Sequence, residues 1–487
     1  MPLLPAPEIL IDRELPLTNS YLRWRAQRLN RLRFAEKTSQ SPPESLLQQV
    51  WLYQRLVQEK LQTIDGRPVR VLHPGFWNRE PGPDFQKAVV QVGSDFPVSG
   101  DIEIDIVPSG WEQHSHASNP NYRNVVLHVT WEPATTQKER PSLPLKYALD
   151  STLPELSFWL GVEPRPAPGG LAGKCSAPFS SLPPARVQEI LRQAAQARLR
   201  QKAEWFQALA RQRGWENAFW EGLFSALGYK RNVWPMRRLA QINPFLITHL
   251  PAKDPVLTLQ ARLLGTACLL PPELKGHSYL RQLWQYWWRE SAACLEYILP
   301  AGLWTLGGIR PANHPQRRLA LAAHWLANGT LLERVERWLE RRIESPDLLR
   351  SLEEILQVKH DEFWSYHWML RSAPSVQPLA LLGIQRVTDI AMNVVLPWLY
   401  VRACAGGNER LAAVAENRYL HWPPGEDNSV LRLARQRLFG GASSSFLTTA
   451  SQQQGVLQIV RDFCDHSNAA CHNCEFPDLI KATVSCE

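Results

Sequence analysis

An α+β fold is the class this 487-residue sequence predicts: a small strand-rich N-terminal α/β unit, a large all-α domain and a short Cys-bearing C-terminal tail. Three observations predict it. The hydrophobic period is strand-like from Pro68 to about Asp150, it turns helical from about Pro184 to Gly440, and Pro/Gly-rich sequence separates the two stretches. With 44% hydrophobic and 21% charged residues the chain supports a sizeable core, which excludes wholesale disorder. There is no run of about 18 uncharged apolar residues, so neither a spanning helix nor a membrane partner is expected. The opening MPLLPAPEILIDRELPL has early acids and prolines and no apolar h-region, so no secretory signal is expected either. Eight cysteines are too few for a disulfide scaffold of this length; reduced thiols and a cytoplasmic location follow as expectations.

The elements follow in order. Residues 1–43 read as a basic arm, with Arg23, Arg25, Arg28, Arg31, Arg33 and Lys37 spaced to form a helix that could lie on phosphate or on an acidic partner. Residues 44–162 read as the strand-rich unit. ESLLQQVWLYQRLVQ opens it as a helix, and PVRVLHPG, KAVVQVG, GDIEIDIV and RNVVLHVTWE follow as short Val- and Ile-rich strands bounded by Gly, Pro, Asn and Ser. Residues 163–183 are a Pro/Gly-rich linker. Residues 184–450 run helix after helix, several stopped by glycine as a C-cap. Trp284, Trp287 and Trp288 lie at helical spacing and read as core. Residues 451–487 are a helix followed by a Cys-rich tail.

The net charge is +8 with a sequence pI of about 9.1, and arginines outnumber lysines by 42 to 12. A basic balance suits nucleic acid, although a GC-rich genome produces the same arginine excess. Against that background one stretch gathers acids and imidazoles. Asp84 follows a Gly-Pro turn and immediately precedes a strand, and Glu103 lies mid-strand nineteen residues later. Side chains alternate along a strand, so Asp101, Glu103 and Asp105 share one face and the isoleucines take the other. A hairpin would bring Asp84 and Glu103 together at one end, where hard oxygen ligands could hold Mg²⁺ or Mn²⁺ and activate water against a phosphodiester. The alternative is a solvated polar face on an edge strand. His114 and His116 in the following loop, with Asn124 and His128 on the next strand, offer further ligands or a general acid/base.

Cys464, Cys471 and Cys474 have the spacing C-x6-C-x2-C, which a soft metal or an iron–sulfur cluster can occupy. The spacing is similar to the cluster loop of the endonuclease III type of DNA glycosylase, with Ile480 standing where that loop has its fourth Cys. Cys486, His466, His472 or the distant Cys175 could complete the set. Cys268, Cys294 and Cys404 lie in apolar helical sequence and read as small core residues. In RPANHPQRRLA, Asn313 can cap the next helix, while Arg317 and Arg318 fall in its first turns, where the dipole disfavours cations. An anion held by Arg310, Arg317 and the helix N-terminus would account for this, as would a buried salt-bridge hub.

The order helix, Pro-Asp, strand, then Glu-x-Asp on the next strand is similar to the PD-(D/E)xK nuclease superfamily. That resemblance implies a further acid from the helix (Glu44 or Glu59) and a catalytic lysine two residues after Glu103. Asp105 stands at that position instead, and Lys87 on the preceding strand could supply the charge. The chain as a whole, from about Glu44 to the Cys tail, resembles the DUF2851 family of uncharacterised bacterial proteins. HPGFWNREPGPDF, GDIEIDI, W-x2-H-x-H, Y-x-NVVLHV, RPANHPQRRLA, LLGIQRVTDIAMNVVLP and the closing Cys triplet carry the likeness. It implies a histidine where Asp105 stands, a departure that argues against a direct catalytic role for position 105.

Two functions follow as expectations. One is a metal-dependent nuclease or nucleic-acid-processing protein whose catalytic set is Asp84, Glu103, Lys87 and His128, with Asp84, Glu103 and Asp101 on the metal. The other is a non-catalytic scaffold for nucleic acid or protein, stapled at its tail by zinc or an iron–sulfur cluster. A hydrolase built on His114, His116 and His128 is a third arrangement. Geometry discriminates: acids gathered within metal-bridging distance favour an enzyme, and acids splayed onto open solvent favour a scaffold.

Overall fold

Alternation of isoleucine with acid commits residues 98–105 to a strand with two different faces, and the sheet forms around that strand. The computed structural model describes residues 20–25, 42–78, 82–113, 116, 119–133, 140–150, 153, 156, 172–229, 232–271, 278–299, 302–307, 309–427, 429–440, 447–464, 471 and 474–484. Among the described residues there are six strands: β1 (Val69–His73), β2 (Phe76–Trp77), β3 (Phe85–Val92), β4 (Val98–Asp105), β5 (Val125–Thr130) and β6 (Ser142–Pro144). They hydrogen-bond in the order β1-β3-β4-β5-β6, with β2 also on β3. Pairing is antiparallel from β1 to β4 and parallel from β4 to β6. The acid-bearing β4 is therefore central, not the solvated edge strand that its charge allowed. Ile102 and Ile104 are buried on one of its faces, and Glu103 and Asp105 are buried on the other.

The HPGFWN motif shapes the approach to β3. Gly75 has φ +93°, and a Cβ there would stand 2.9 Å from the Phe85 Cβ and 3.0 Å from the Gln86 carbonyl, so only glycine fits. His73 Nδ1 accepts the Gly75 N–H at 3.0 Å, and Trp51 Nε1 donates to the Pro74 carbonyl at 2.8 Å. Asn78 then donates from its backbone to the Asp84 carbonyl (2.7 Å) and from Nδ2 to the Pro83 carbonyl (3.0 Å). The motif is a staple that delivers Asp84 to the start of β3.

The chain divides into two compact units that interleave along the sequence. One comprises Met1–Leu46, Thr152–Gln201 and Pro424–Glu487; the other comprises Leu47–Ser151 and Lys202–Pro423. The sheet and the helices from Lys202 to Pro423 thus share a unit, whereas the sequence reading sets them apart at residues 163–183. Contacts distant in sequence make the difference. Trp234 Nε1 donates to the Leu72 carbonyl at 2.7 Å, and Arg237 Nη1 to the Tyr53 carbonyl at 3.1 Å. Within this unit Glu221 is fully buried and answered by Arg213 (3.5 Å) and Arg237 (3.3 Å). Of the three helical tryptophans only Trp287 is buried, and Trp288 is 76% exposed.

The other unit packs around Tyr21, Trp24, Phe179, Phe439, Phe463 and Phe476. Tyr21, Leu22 and Trp24 of the basic arm belong to this core, whereas Arg23 between them is exposed. Tyr21 Oη donates to Asp462 Oδ2 at 2.6 Å and Arg25 Nε to the same oxygen at 3.1 Å, so Arg25 is buried in an ion pair and does not face a ligand. Arg28, Arg31, Arg33 and Lys37 lie outside the described residues. Among the described residues no helix is long and apolar enough to cross a membrane.

His73 makes the stability of the sheet pH-dependent. Burial pushes its imidazole down from 6.5 to about 4, so it is neutral in the folded chain and protonates near 6.5 in the unfolded one. Its contribution is full above pH 6.5 and is lost as pH falls toward 4, a change of up to ~3 kcal/mol. Urea midpoints measured from pH 7 to pH 4 should fall less steeply for His73→Asn, which keeps an acceptor for Gly75, than for the wild type.

Candidate metal centre

Strand register sets the geometry of the acid cluster. Phe85 pairs with Ile102 across the β3–β4 hairpin, which places Asp84 against Glu103. The Asp84 N–H donates to Glu103 Oε2 at 3.1 Å, and the Ile104 N–H donates to Asp84 Oδ2 at 3.0 Å. Gln48 Nε2, from the helix Glu44–Leu52, donates to Asp84 Oδ1 at 2.8 Å. On the other side Glu103 pairs with His128 of parallel β5. The imidazole reaches diagonally to the next acid on the same face, with Nε2 2.9 Å from Asp105 Oδ2.

The loop after β4 adds the third ligand type. Gly110–Gln113 is a single helical turn, and His116 follows it with Nε2 3.1 Å from Glu103 Oε1. One ligand atom each from Glu103, Asp105 and His116 lies within 4.8 Å of the other two, and all three residues are buried. An aromatic wall orients the imidazoles. Tyr122 stacks on His116 with centroids 3.9 Å apart, and Trp111 packs against His116 (5.3 Å), His128 (5.4 Å) and Tyr122 (6.0 Å). Arg140 lies over the outer face of Trp111 at 4.7 Å. Burial, followed by the negative charges of Glu103, Asp84 and Asp105, pushes the Tyr122 phenol up to about 12. It therefore stays protonated, a donor beside three carboxylates.

Two buried carboxylates and two buried imidazoles, with the half-buried Asp84 beside them, suit a cation, because buried like charges repel and a divalent ion offsets them. Two carboxylate oxygens and one nitrogen fit Mn²⁺ better than Mg²⁺, which prefers oxygen alone. His128 on Asp105 and the backbone N–H of Asp84 on Glu103 are the outer contacts that hold such ligands in orientation.

The structure brings Asp84 against Glu103, as sequence reasoning expected, and leaves it outside the gathered group of ligand atoms. Both Asp84 oxygens accept protein hydrogen bonds, and the gathered ligand atoms belong to Glu103, Asp105 and His116. Asp105, which the family resemblance argued against, is in the group. Asp101 and Lys87 are elsewhere: with Arg123 and Asn124 they line a shallow hollow whose walls include none of the three ligands. The exposed Lys87 has φ +57° at a register shift in β3, and its own N–H donates to Asp101 Oδ1 at 3.1 Å. The strand bulge turns it away from the alternation on which the sequence placement relied. Glu44 opens the helix that presents Gln48 one turn later. His114 lies outside the described residues. Gln48 and Gly110 carried no sequence signal, since a glutamine in an amphipathic helix and a glycine after a strand have commoner explanations.

The Arg310 and Arg317 expectation is corrected. Arg317 is fully buried, and its two terminal nitrogens donate to the carbonyls of Trp364, His367 (2.6 Å), Leu379 (2.9 Å) and Ala380 (3.0 Å). The guanidinium closes a loop onto its helix and leaves no terminal donor for an anion, while Arg310 is exposed. His314, not Asn313, caps the helix Pro315–Asn328, its Nδ1 accepting from the Gln316 N–H at 3.3 Å. Asn313 Oδ1 instead accepts from Arg318 Nη2 at 2.8 Å. In the tail, Cys464 is buried and Cys471 and Cys474 are half-buried; His466, His472 and Cys486 lie outside the described residues. Of the expected core thiols, Cys294 is buried and Cys268 is exposed.

Residues 44–429 match the family described as "Protein of unknown function (DUF2851)". The chain belongs to that family. The match takes in the sheet, the acid cluster and the RPANHPQRRLA segment, and it ends before the Cys triplet, short of the extent that the motifs suggested. No curated protein and no solved structure matches the chain. For this DUF2851 protein the site itself must carry any functional reading.

Gly110 offers a direct test of the cluster. A Cβ there would stand 2.4 Å from Asp105 Oδ1, so Gly110→Ala must push the carboxylate aside. Isothermal titration with Mn²⁺ should show binding to the wild type and at least ~10-fold weaker binding to Gly110→Ala and His128→Ala, the scale on which such supporting contacts act. Lys87→Ala should bind Mn²⁺ as the wild type does.

Proposed function

We propose that this DUF2851 protein is a metal-dependent phosphodiester hydrolase acting on nucleic acid, with Glu103, Asp105 and His116 holding the divalent cation. One observation carries the reading: three ligand-bearing side chains of the right chemistry lie within 4.8 Å of one another on a central strand and its adjoining loop. A cation bound there would polarise a phosphoryl oxygen and lower the pKa of a bound water. Asp84 and His128 position Glu103 and Asp105, and the protonated Tyr122 supplies a hydrogen bond at the edge of the site. The +8 balance supports a polyanionic substrate. So does a groove in the same unit lined by Arg334, Arg337, Arg341, Arg350 and Lys359, interleaved with Glu340, Glu353 and Glu354. The order of helix, Asp84 and Glu103 is the one on which the likeness to PD-(D/E)xK nucleases rests, with Asp105 in place of the lysine. Charge compensation in this chain then falls to the metal and His116.

A second reading has burial in its favour. Glu103, Asp105 and His116 are at most 6% exposed, which suits a structural metal inside a scaffold protein. Cleavage of single-stranded and supercoiled DNA and of RNA, assayed with Mn²⁺ and Mg²⁺, separates the two. The hydrolase reading expects metal-dependent cleavage that falls at least ~100-fold in Glu103→Gln and Asp105→Asn, the scale of metal-centred stabilisation, and survives Lys87→Ala. A wild type as inert as Glu103→Gln, with a melting temperature that drops on chelation, sinks catalysis and leaves the structural metal.

A further inference from the structure

Three cysteine-bearing segments of the other unit pack into one core, although the first is 289 residues upstream of the next. Cys175 immediately precedes the helix Ser176–Ser180, Cys464 ends the π-helical turn Val460–Cys464, and Cys474 stands two residues before the helix Phe476–Val484. Phe179, Phe463 and Phe476, each within four residues of one of these cysteines, belong to one cluster. Phe179 and Phe476 have centroids 5.7 Å apart, and Phe463 and Phe476 stack at 4.6 Å. Cys175 belongs to this core, and Cys474 packs against it. Cys471, three residues before Cys474, adopts a left-handed backbone with φ +56°.

Local chemistry agrees with the convergence. Cys175 is buried, and its Sγ has as hydrogen-bond partner only the Arg437 carbonyl at 3.8 Å among the described contacts. Burial, and then the proximity of Cys474 and Cys471, pushes its thiol up to about 12. An apolar core bordered by cysteines from three separate segments offers ligands to a soft metal. Spacing separates the candidates. A tetrahedral zinc with Zn–S bonds of about 2.3 Å needs its sulfurs roughly 3.8 Å apart. Among the described residues no three thiols lie within 4.8 Å of one another. An iron–sulfur cluster keeps its thiolates farther apart, because the inorganic core lies between them.

We propose that Cys175, Cys464, Cys471 and Cys474 form a four-thiolate site for an iron–sulfur cluster, which ties the segment before the helix Ser176–Ser180 to the C-terminal tail. The site is independent of the acid cluster and stands or falls separately from the hydrolase reading. The full chain, purified anaerobically, should be brown, contain about four iron and four sulfide per chain as a 4Fe–4S centre does, and lose its visible absorbance with dithionite. Cys175→Ala and Cys474→Ala should each lose most of the iron, and Cys268→Ala and Cys404→Ala should keep it. Wild-type Cys471 and Cys474 should react with iodoacetamide only after iron is chelated, a readout that does not depend on the variants folding. The proposal is overturned by a chain that carries no iron and takes none from ferrous iron and sulfide. Stoichiometric zinc in its place, or full iron in folded Cys175→Ala, overturns it too.

Discussion

The structure depends on the position of β4 between an antiparallel and a parallel neighbour. A strand whose polar face reads Asp-x-Glu-x-Asp would ordinarily lie at a sheet edge, where water solvates the charges. Here β3 and β5 cover it on both sides, so Glu103 and Asp105 must find their partners inside the protein. The backbone N–H of Asp84 and the imidazole of His116 meet that demand at Glu103, and His128 meets it at Asp105, while the Ile104 N–H and Gln48 on the neighbouring helix hold Asp84 beside them. The antiparallel register brings Asp84 against Glu103, and the parallel register brings His128 within reach of Asp105.

That constraint extends outward. The HPGFWN staple exists to start β3 at Asp84, and only glycine can sit at position 75 so close to Phe85. Gly110 lets the chain turn against the Asp105 carboxylate and return as the loop that carries His116. Trp111 and Tyr122 then wall the imidazoles from one side. Trp234 and Arg237 donate to the backbone beside β1 and the first helix, so the helical segment from Lys202 is part of the unit that holds the site. The two units have separate chemistry: hard oxygen and nitrogen ligands on the sheet of one, thiols among the phenylalanines of the other.

Much of this was legible in the chain itself. The change from period 2 to period 3.6 marks the strands and helices, and the α+β class follows from it. Asp84 before a strand and Glu103 on the next were identifiable because hairpin pairing and side-chain alternation are local rules. The Cys triplet was identifiable because its spacing is short. Lys87 was misplaced because a one-residue bulge reverses the face on which a strand side chain falls. Arg317 was misread because a buried guanidinium satisfied by backbone carbonyls resembles, in sequence, one waiting for an anion.

The sequence by itself determined which residues could do chemistry: carboxylates on one strand face, histidines in the following loop and strand, and thiols at ligand spacing. Only the tertiary structure decided which of them meet. The placement of Asp105 and His116 with Glu103, the contact of Asp84 with Glu103, and the proximity of Cys175 to a tail 289 residues away all depend on distances of a few ångströms. Those distances are set by strand register and by packing between segments remote in sequence, and local periodicity carries no information about either.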